Sequence, residues 1–370
     1  MEEVVIVIAD LYLTSAAEAA SIRGVVLPGL GRIARYGAGH AIHNGWRAWL
    51  ARWIGNPELA AESPATVAAA ASRIKRSDAV GRMAWLATPV HMVAGLSSVH
   101  LDARGLLRVE PEVRRMLATE FNRVFADSGC RLEALGSSGF LLTTPQISAP
   151  PTVDPARVLG ASVTEALPAA SAAPELRRLG AEVEMWLHDH QANADRVKRG
   201  RLPITALWLW GGGVAREGVG AQWDEELLST QNADTIPASA LRGAATLAAT
   251  AVPSPGVAFG GDPYLHGLWR SNGASARAMP NGFNEVLGHS GRRAVFVVDL
   301  LEALDAHREW TIRDALVDAD RRWIAAALDS LHRREVARVT VVANDHKLTL
   351  GPRDRMKLWR MPRPALSALQ

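Results

Sequence analysis

Three stretches of the chain are apolar almost without interruption and close on a carboxylate: VVIVIAD (residues 4–10), AVFVVD (294–299) and VTVVAND (339–345). Short runs this rich in β-branched residues predict central strands buried on both faces, the pattern of a parallel sheet. Helical periods lie between them. LPGLGRIARYG (27–37) has Pro28 where a helix starts and Gly37 where it ends. Trp46, Trp49, Leu50 and Trp53 share one helical face, and Asn56-Pro57 closes it. Pro64 opens a helix expected to run on through ATVAAAASRI (65–74). Val113, Met116, Leu117, Phe121 and Val124 line a helix over 111–127. Ile312, Leu316, Trp323, Leu328 and Leu331 line a long one over 311–334.

Shorter patterns fill the middle. LATPVHMVAG and SSVHLDARGLLRVEP read as paired strands, and RLEALGSSGFLLTT as a hairpin with glycines in its turn. Residues 182–213 join an amphipathic helix (Leu176, Leu179, Val183, Trp186, Leu187) to a short aromatic strand, Leu207 to Trp210, which three glycines are expected to stop. Trp208 and Trp210 alternate with Leu207 and Leu209, so both faces need cover and the strand should be internal. Residues 146–155 read as a loop and 234–267 as a mobile connector. VTVVANDHKLTLG leaves two options after its strand, a loop or a hairpin turn at Asn344-Asp345. Strands alternating with helices predict an α/β fold, a central mostly parallel sheet flanked by helices with added β-hairpins. The whole chain reads as one large domain (1–370) carrying an inserted subdomain over 82–160 and a basic tail over 351–370.

Composition narrows this picture. The 370 residues are 48% hydrophobic, enough for a large core. One cysteine, Cys130, excludes a disulfide framework or a cysteine-based zinc site. Acidic residues ahead of the first apolar run are the reverse of a signal peptide, and no uncharged stretch reaches membrane-spanning length, so a cytoplasmic protein without membrane contact is expected. Twelve Trp stand against three Tyr and six Phe, without interleaved basic runs; core and groove lining follows rather than base stacking. Residues 321–370 hold 11 Lys+Arg against 4 Asp+Glu, although the chain as a whole carries only +3. That basic end is either a solvated tail or a contact for an acidic protein or nucleic-acid partner.

Candidate chemistry gathers at the strand ends. Asp10, Asp299 and the Asp345-His346 pair each follow an apolar run, and open α/β sheets bind ligands outside the carboxyl ends of their strands. EVEMWLHDHQANADRVKRGRLPITALWLWGGG (182–213), together with LATPVHMVAGLSSVHLD (86–102), resembles the RpfE-type regulatory proteins of proteobacteria, often labelled phosphoglycerate mutase-like. The order of Asp10, residues 27–37 and VVANDH resembles the alkaline-phosphatase superfamily, which includes cofactor-independent phosphoglycerate mutases. In that superfamily a strand-end Asp binds metal, a TPN-L-D-x-L-A-x-x-G segment follows it, and an Asp-His pair closes a late strand. The resemblance implies a divalent metal, Mn or Mg, held by Asp10, Asp299, Asp345 and His346, with Thr66 in SPATVAA as phosphoryl acceptor. Ser63 as a helix cap explains the Thr66 motif equally well.

The chain departs from the superfamily pattern. Leu11 stands where Gly follows the first Asp, no His follows His346, and Asp305 and His307 could stand in for the usual Asp-x-x-x-His pair but at a shorter spacing. Three readings stay open: an intact two-metal site, a degenerate site on the same fold, and a coincidence in which Asn344-Asp345 is a hairpin turn. The functional expectation is a phosphoglycerate mutase-like protein of the RpfE type, working or degenerate. The alternative is a non-enzymatic binding protein using a Trp-rich groove and the basic tail. Glu184 and His188, four apart on a helix face, have metal-ligand spacing or mark a polar helix end, and His190 points about 200° away from His188. His91 and His100 read as strand histidines, and the triple glycine as a phosphate loop or a tight turn beside the tryptophans.

Overall fold

The computed structural model describes residues 1–9, 11, 25–75, 79–95, 98–136, 139–147, 152–164, 166–167, 173–216, 255–287, 292–306, 311–343, 345–352 and 354. Twelve strands are described: β1 Glu3–Ala9, β2 Ala38–Ala41, β3 Arg82–Ala94, β4 Val99–Leu106, β5 Arg131–Leu135, β6 Gly139–Pro145, β7 Ala206–Val214, β8 Val257–Phe259, β9 Ala276–Arg277, β10 Arg293–Asp299, β11 Val339–Ala343 and β12 His346–Leu350. They form two sheets. The larger runs β2-β12-β11-β1-β10-β8-β9. Its strands β11, β1, β10, β8 and β9 are parallel, and β12 and β2 close one side antiparallel. The smaller sheet is antiparallel and built on β3, which pairs with β4, β6 and β7, while β5 pairs with β6. The α/β class is as the sequence predicts, with a mixed rather than purely parallel main sheet.

The continuous apolar runs are explained by cover on both faces. Val4, Ile6 and Ile8 of β1 pack with Leu30 and Ile33 of helix α1 (Pro28–Tyr36) and with Phe296 and Trp323. Val5, Val7 and Ala9 face the other way, onto Trp46 and Leu50 of α2 (Gly45–Trp53) and Leu265 and Trp269 of a helix over Pro263–Ser271. Between α2 and that helix in chain order come α3 (Pro64–Ala69), α4 (Pro111–Val124), α5 (Pro174–His188) and α6 (Gln191–Lys198), which makes Pro263–Ser271 α7. The small sheet is also a buried layer. Trp85, Phe140, Leu142, Leu207 and Leu209 meet α4 and α5 on one face. Leu86, Leu141, Trp208 and Trp210 join the core of the large sheet on the other.

Four expectations change. The helix from Pro64 stops at Ala69, because the Ser72 hydroxyl donates to Ala69 O (2.6 Å) and the Glu133 carboxylate receives the Arg73 N–H (2.9 Å), turning the chain. The glycines do not stop β7, which continues to Val214. Gly211 at φ +61° bends it there, and the pairing register with β3 shifts between Ala84 and Leu86. A Cβ on Gly212 would overlap the Trp85 ring, and one on Gly213 would overlap Ser63 and Thr66. β7 is covered on both faces yet is not internal: among the described strands it pairs with β3 alone, and α3 lies along it, with the Thr66 hydroxyl donating to Val214 O (2.9 Å). The connector expected over 234–267 contains β8 and the start of α7; its part before residue 255 lies outside the described residues.

The long helix of 311–334 is present but holds a π turn. It runs Ile312–Ala319, then the π segment Asp320–Ala325, then Ala326–His332. The wider turn serves Asp320, which is fully buried and accepts the Gly29 N–H (2.9 Å) and the Leu30 N–H (2.6 Å). A carboxylate there satisfies orphan donors and suits the positive end of the α1 dipole. Burial still pushes the Asp320 pKa up against those two bonds.

Trp208 is 4% exposed and its indole N–H donates to Val153 O (2.9 Å). Trp208→Ala is expected to cost about 3–5 kcal/mol and to lower the melting temperature and soluble yield together. A variant that melts like the parent would place this tryptophan on a binding surface instead.

Candidate functional site at the carboxyl end of the large sheet

Parallel register puts the ends of β1, β10 and β11 side by side, Ala9 opposite Asp299 and Ile8 opposite Ala343. Asp299 and Asp345 therefore share the carboxyl end of one sheet, and Asp262 stands at the same end after β8. Asp10 lies outside the described residues. Asp345 sits in a two-residue hairpin turn, since Ala343 pairs directly with His346, and His346 is the first residue of β12, opposite Ala41. Of the two options left by VVANDHKLTLG, the hairpin is the one formed.

Each of these carboxylates carries a guanidinium. Arg108 Nε donates to Asp299 Oδ2 at 2.5 Å, with both side chains under 15% exposed. The second oxygen, Asp299 Oδ1, accepts the Leu301 N–H at the start of the next helix (3.0 Å). Arg157 grips Asp345 with both terminal nitrogens, at 2.9 and 3.2 Å. Arg47 donates to Asp262 (2.9 Å) and Asp154 (2.8 Å) while its guanidinium lies between the Trp46 and Trp210 rings, 4.5 and 4.7 Å from their centroids. Arg108 is itself held by its neighbours. Arg196 donates to Arg108 O (3.3 Å) and Arg114 to Val109 O (3.2 Å). Burial, with the nearby charges of Arg108 and Arg115, lowers the Arg114 pKa to about 10, which leaves it charged at neutral pH.

Beside Arg47 and Arg108 runs a narrow cleft with room of about 40 Å³, bounded also by Thr88, Phe140, Asp154, Trp210 and Asp262. That holds a water or two, far below the several hundred Å³ of a metabolite pocket. The implied divalent metal does not fit the described side chains. Asp299 and Asp345 spend their oxygens on arginine and backbone donors, and among the described residues no group of three His, Cys, Asp or Glu converges as a metal cage. Thr66 is 2% exposed and its hydroxyl is committed to Val214 O, with Ser63 capping the Thr66 N–H. The side chains of Asp305 and His307 lie outside the described residues.

The chain is similar in fold to cofactor-independent phosphoglycerate mutase. The enzyme from Thermoplasma acidophilum DSM 1728 is 15% identical, covering 95% of this chain and 90% of its own, with a TM-score of 0.38. The PH0037 protein from Pyrococcus horikoshii is 12% identical, covering 95% and 87%, with a TM-score of 0.45. No protein-family model and no curated protein sequence matches the chain.

The other candidates have structural partners. His188 is 85% exposed at the end of α5. His190 is buried, its Nδ1 accepting the Ala192 N–H and its Nε2 facing Glu120 at 3.0 Å. His91 Nδ1 meets Pro203 O and His100 Nε2 meets the Ser98 hydroxyl. The glycines of β7 make room for Trp85 and α3, not for a phosphate. Trp46, Trp85, Trp208, Trp210, Trp269 and Trp323 are buried. Arg47, Arg108 and Arg157 were not singled out by the sequence pattern; only their position beside helix starts distinguishes them, and many surface arginines share it.

On α7, next to this site, burial holds the His266 imidazole below its ordinary range, and Nε2–H donates to Gly260 O (3.0 Å). The unfolded chain therefore takes up the proton first as pH falls. The His266 contribution to stability is full above about pH 6.5 and is lost as pH drops through that value towards the lower folded pKa. Urea unfolding between pH 7.5 and 5 should show this loss, and His266→Gln should flatten it.

Proposed function

We propose that this chain is a phosphoglycerate mutase-like protein of the RpfE regulatory type whose phosphoryl-transfer centre is degenerate, and that it acts by binding rather than by turnover. One observation carries the reading: the carboxylates at the sheet end, Asp299 and Asp345, are each neutralised by an arginine. Two-metal phosphoryl transfer needs those oxygens free, because the cations clamp the attacking and leaving oxygens and offset the charge of the transferring group. A nucleophile must also reach solvent and an activating base. Thr66 is buried and already donates to a backbone carbonyl. The likeness of residues 86–102 and 182–213 to RpfE-type proteins supports the regulatory part. The basic tail would contact an acidic protein or nucleic-acid partner; beyond Asp354 it lies outside the described residues.

Purified protein assayed with 2- and 3-phosphoglycerate and added Mn²⁺ or Mg²⁺ should show no mutase turnover above a heat-killed control, and Asp299→Ala should leave that baseline unchanged. A robust metal-dependent rate abolished by Asp299→Ala would overturn the proposal and restore a working metal site.

A further inference from the structure

Most strand edges among the described residues are covered. Along β5 the Asn122 side chain stands in for a strand, its amide donating to Leu132 O (2.9 Å) and its oxygen accepting the Leu132 N–H (2.8 Å). Residues 160–163 follow the outer side of β4, with the Leu101 N–H on Ala161 O, the Gly160 N–H on Leu101 O and the Val163 N–H on Val99 O. α3 lies along β7. β9 is two residues long, and its Arg277 carbonyl already accepts the Gly260 N–H (2.9 Å). Such cover is expected, because an open edge is a template for a further strand.

β2 is the exception. It closes the large sheet beyond β12, and Gly39, His40 and Ala41 are exposed. The Ile42 N–H donates to Asp345 O (2.7 Å), and the same register sets His40 opposite Lys347. Backbone groups alternate in direction along a strand, so His40 bonds inward to β12 while the N–H and C=O of Gly39 and Ala41 point outward. No described residue bonds these outward groups. The strand also has no charged residue, no proline and no register shift, which are devices that blunt an edge. Its four-residue length is the one protective feature left.

We infer that this edge pairs with the same edge of a second copy of the chain, antiparallel, about a two-fold axis through His40. The free groups set the register: Gly39 of one copy opposite Ala41 of the other satisfies every one of them. On one face this brings His40 against His40 across the axis, with Lys347 beside it over the Trp49 ring (5.6 Å). On the other face only glycine and alanine meet, so nothing bulky holds the strands apart. A head-to-tail arrangement would need β9 to receive β2, and β9 is too short and already bonded through Arg277 O. The self-complementary contact therefore closes on a pair rather than a filament. β2 has no Lys, Arg, Asp or Glu to repel its own copy. A strand of four residues buries much less than the roughly 1,200–2,000 Å² of a stable interface, so the pair is weak and forms with concentration. It is independent of the mutase assay, since it concerns the sheet edge and not turnover.

Sedimentation of the full chain over about two decades of concentration should show the mass rising from monomer towards dimer. Ala41→Pro removes an outward N–H and keeps the β12 bonds, because proline is tolerated where an edge N–H faces solvent. It should weaken association by about tenfold or more. His40→Lys sets like charges against each other at the axis and should do the same. Both variants should melt like the parent. Disulfide trapping checks the register, with buried Cys130 changed to Ser. His40→Cys brings two thiols into bridging range, their Cα atoms about 4.5 Å apart, and should cross-link under mild oxidation. Ala41→Cys, offset diagonally by about 7–8 Å, should cross-link far more slowly. If either edge variant does not fold, trapping decides. A parent that stays monomeric at every concentration, a dimer that either folded edge variant leaves intact, or equal trapping at the two positions would overturn the inference. The first of these would leave the edge to a strand of another protein.

Discussion

A carboxylate at the end of a buried strand loses much of its hydration and needs compensating donors close by. In this protein the donors are guanidinium groups, and most of them arrive from the other sheet. Asp299 accepts from Arg108, Asp345 from Arg157, and Arg47 ties Asp262 to Asp154 between two tryptophan rings. Arginine suits this role because its planar fork bonds carboxylates and stacks on aromatic faces at once. The chemistry of the sheet end follows from these contacts, while the two sheets are placed by the apolar core that Leu86, Leu141, Trp208 and Trp210 share with β1 and β10. Behind the contacts, Arg114 and Arg196 hold the backbone around Arg108.

A second constraint is close approach of backbone. α3 wedges between α7 and β7, and it fits because Gly213 and Gly267 have no Cβ where Ser63, Thr66 and Val67 pass. The same fit buries Thr66 and directs its hydroxyl to Val214 O. On the far side, Gly29 lets α1 descend onto Asp320, and the π turn moves that carboxylate under two α1 N–H groups. Packing and polar chemistry are thus the same decisions: where side chains are absent, donors and acceptors meet.

For function, this replaces an open row of strand-end carboxylates with an internally paired one. Positive charge at the site is supplied by the chain's own arginines, two of them on the opposite layer. Charge that is tied up between side chains in this way is not available to polarise a substrate. The remaining polar surface at the site is small, and Trp210 and Phe140 bound it on the small-sheet side.

Much of the fold was legible in the residues. Uninterrupted apolar runs announced β1, β10 and β11, proline and glycine marked both ends of α1, and the stripe of Leu176, Leu179, Val183 and Leu187 marked α5, because these signals are local and repeat at the period of the element. The strand-end position of Asp299 and Asp345 was legible for the same reason. The end of α3 at Ala69, the continuation of β7 through its glycines and the π turn at Asp320 were not, since each depends on a partner distant in sequence: Glu133, Trp85 and α1. The sequence by itself determined which segments are strands and helices and which carboxylates close them. Only the tertiary structure decided that those carboxylates meet arginine, because Arg108 and Asp299 are separated by 191 positions and no local period records the pairing.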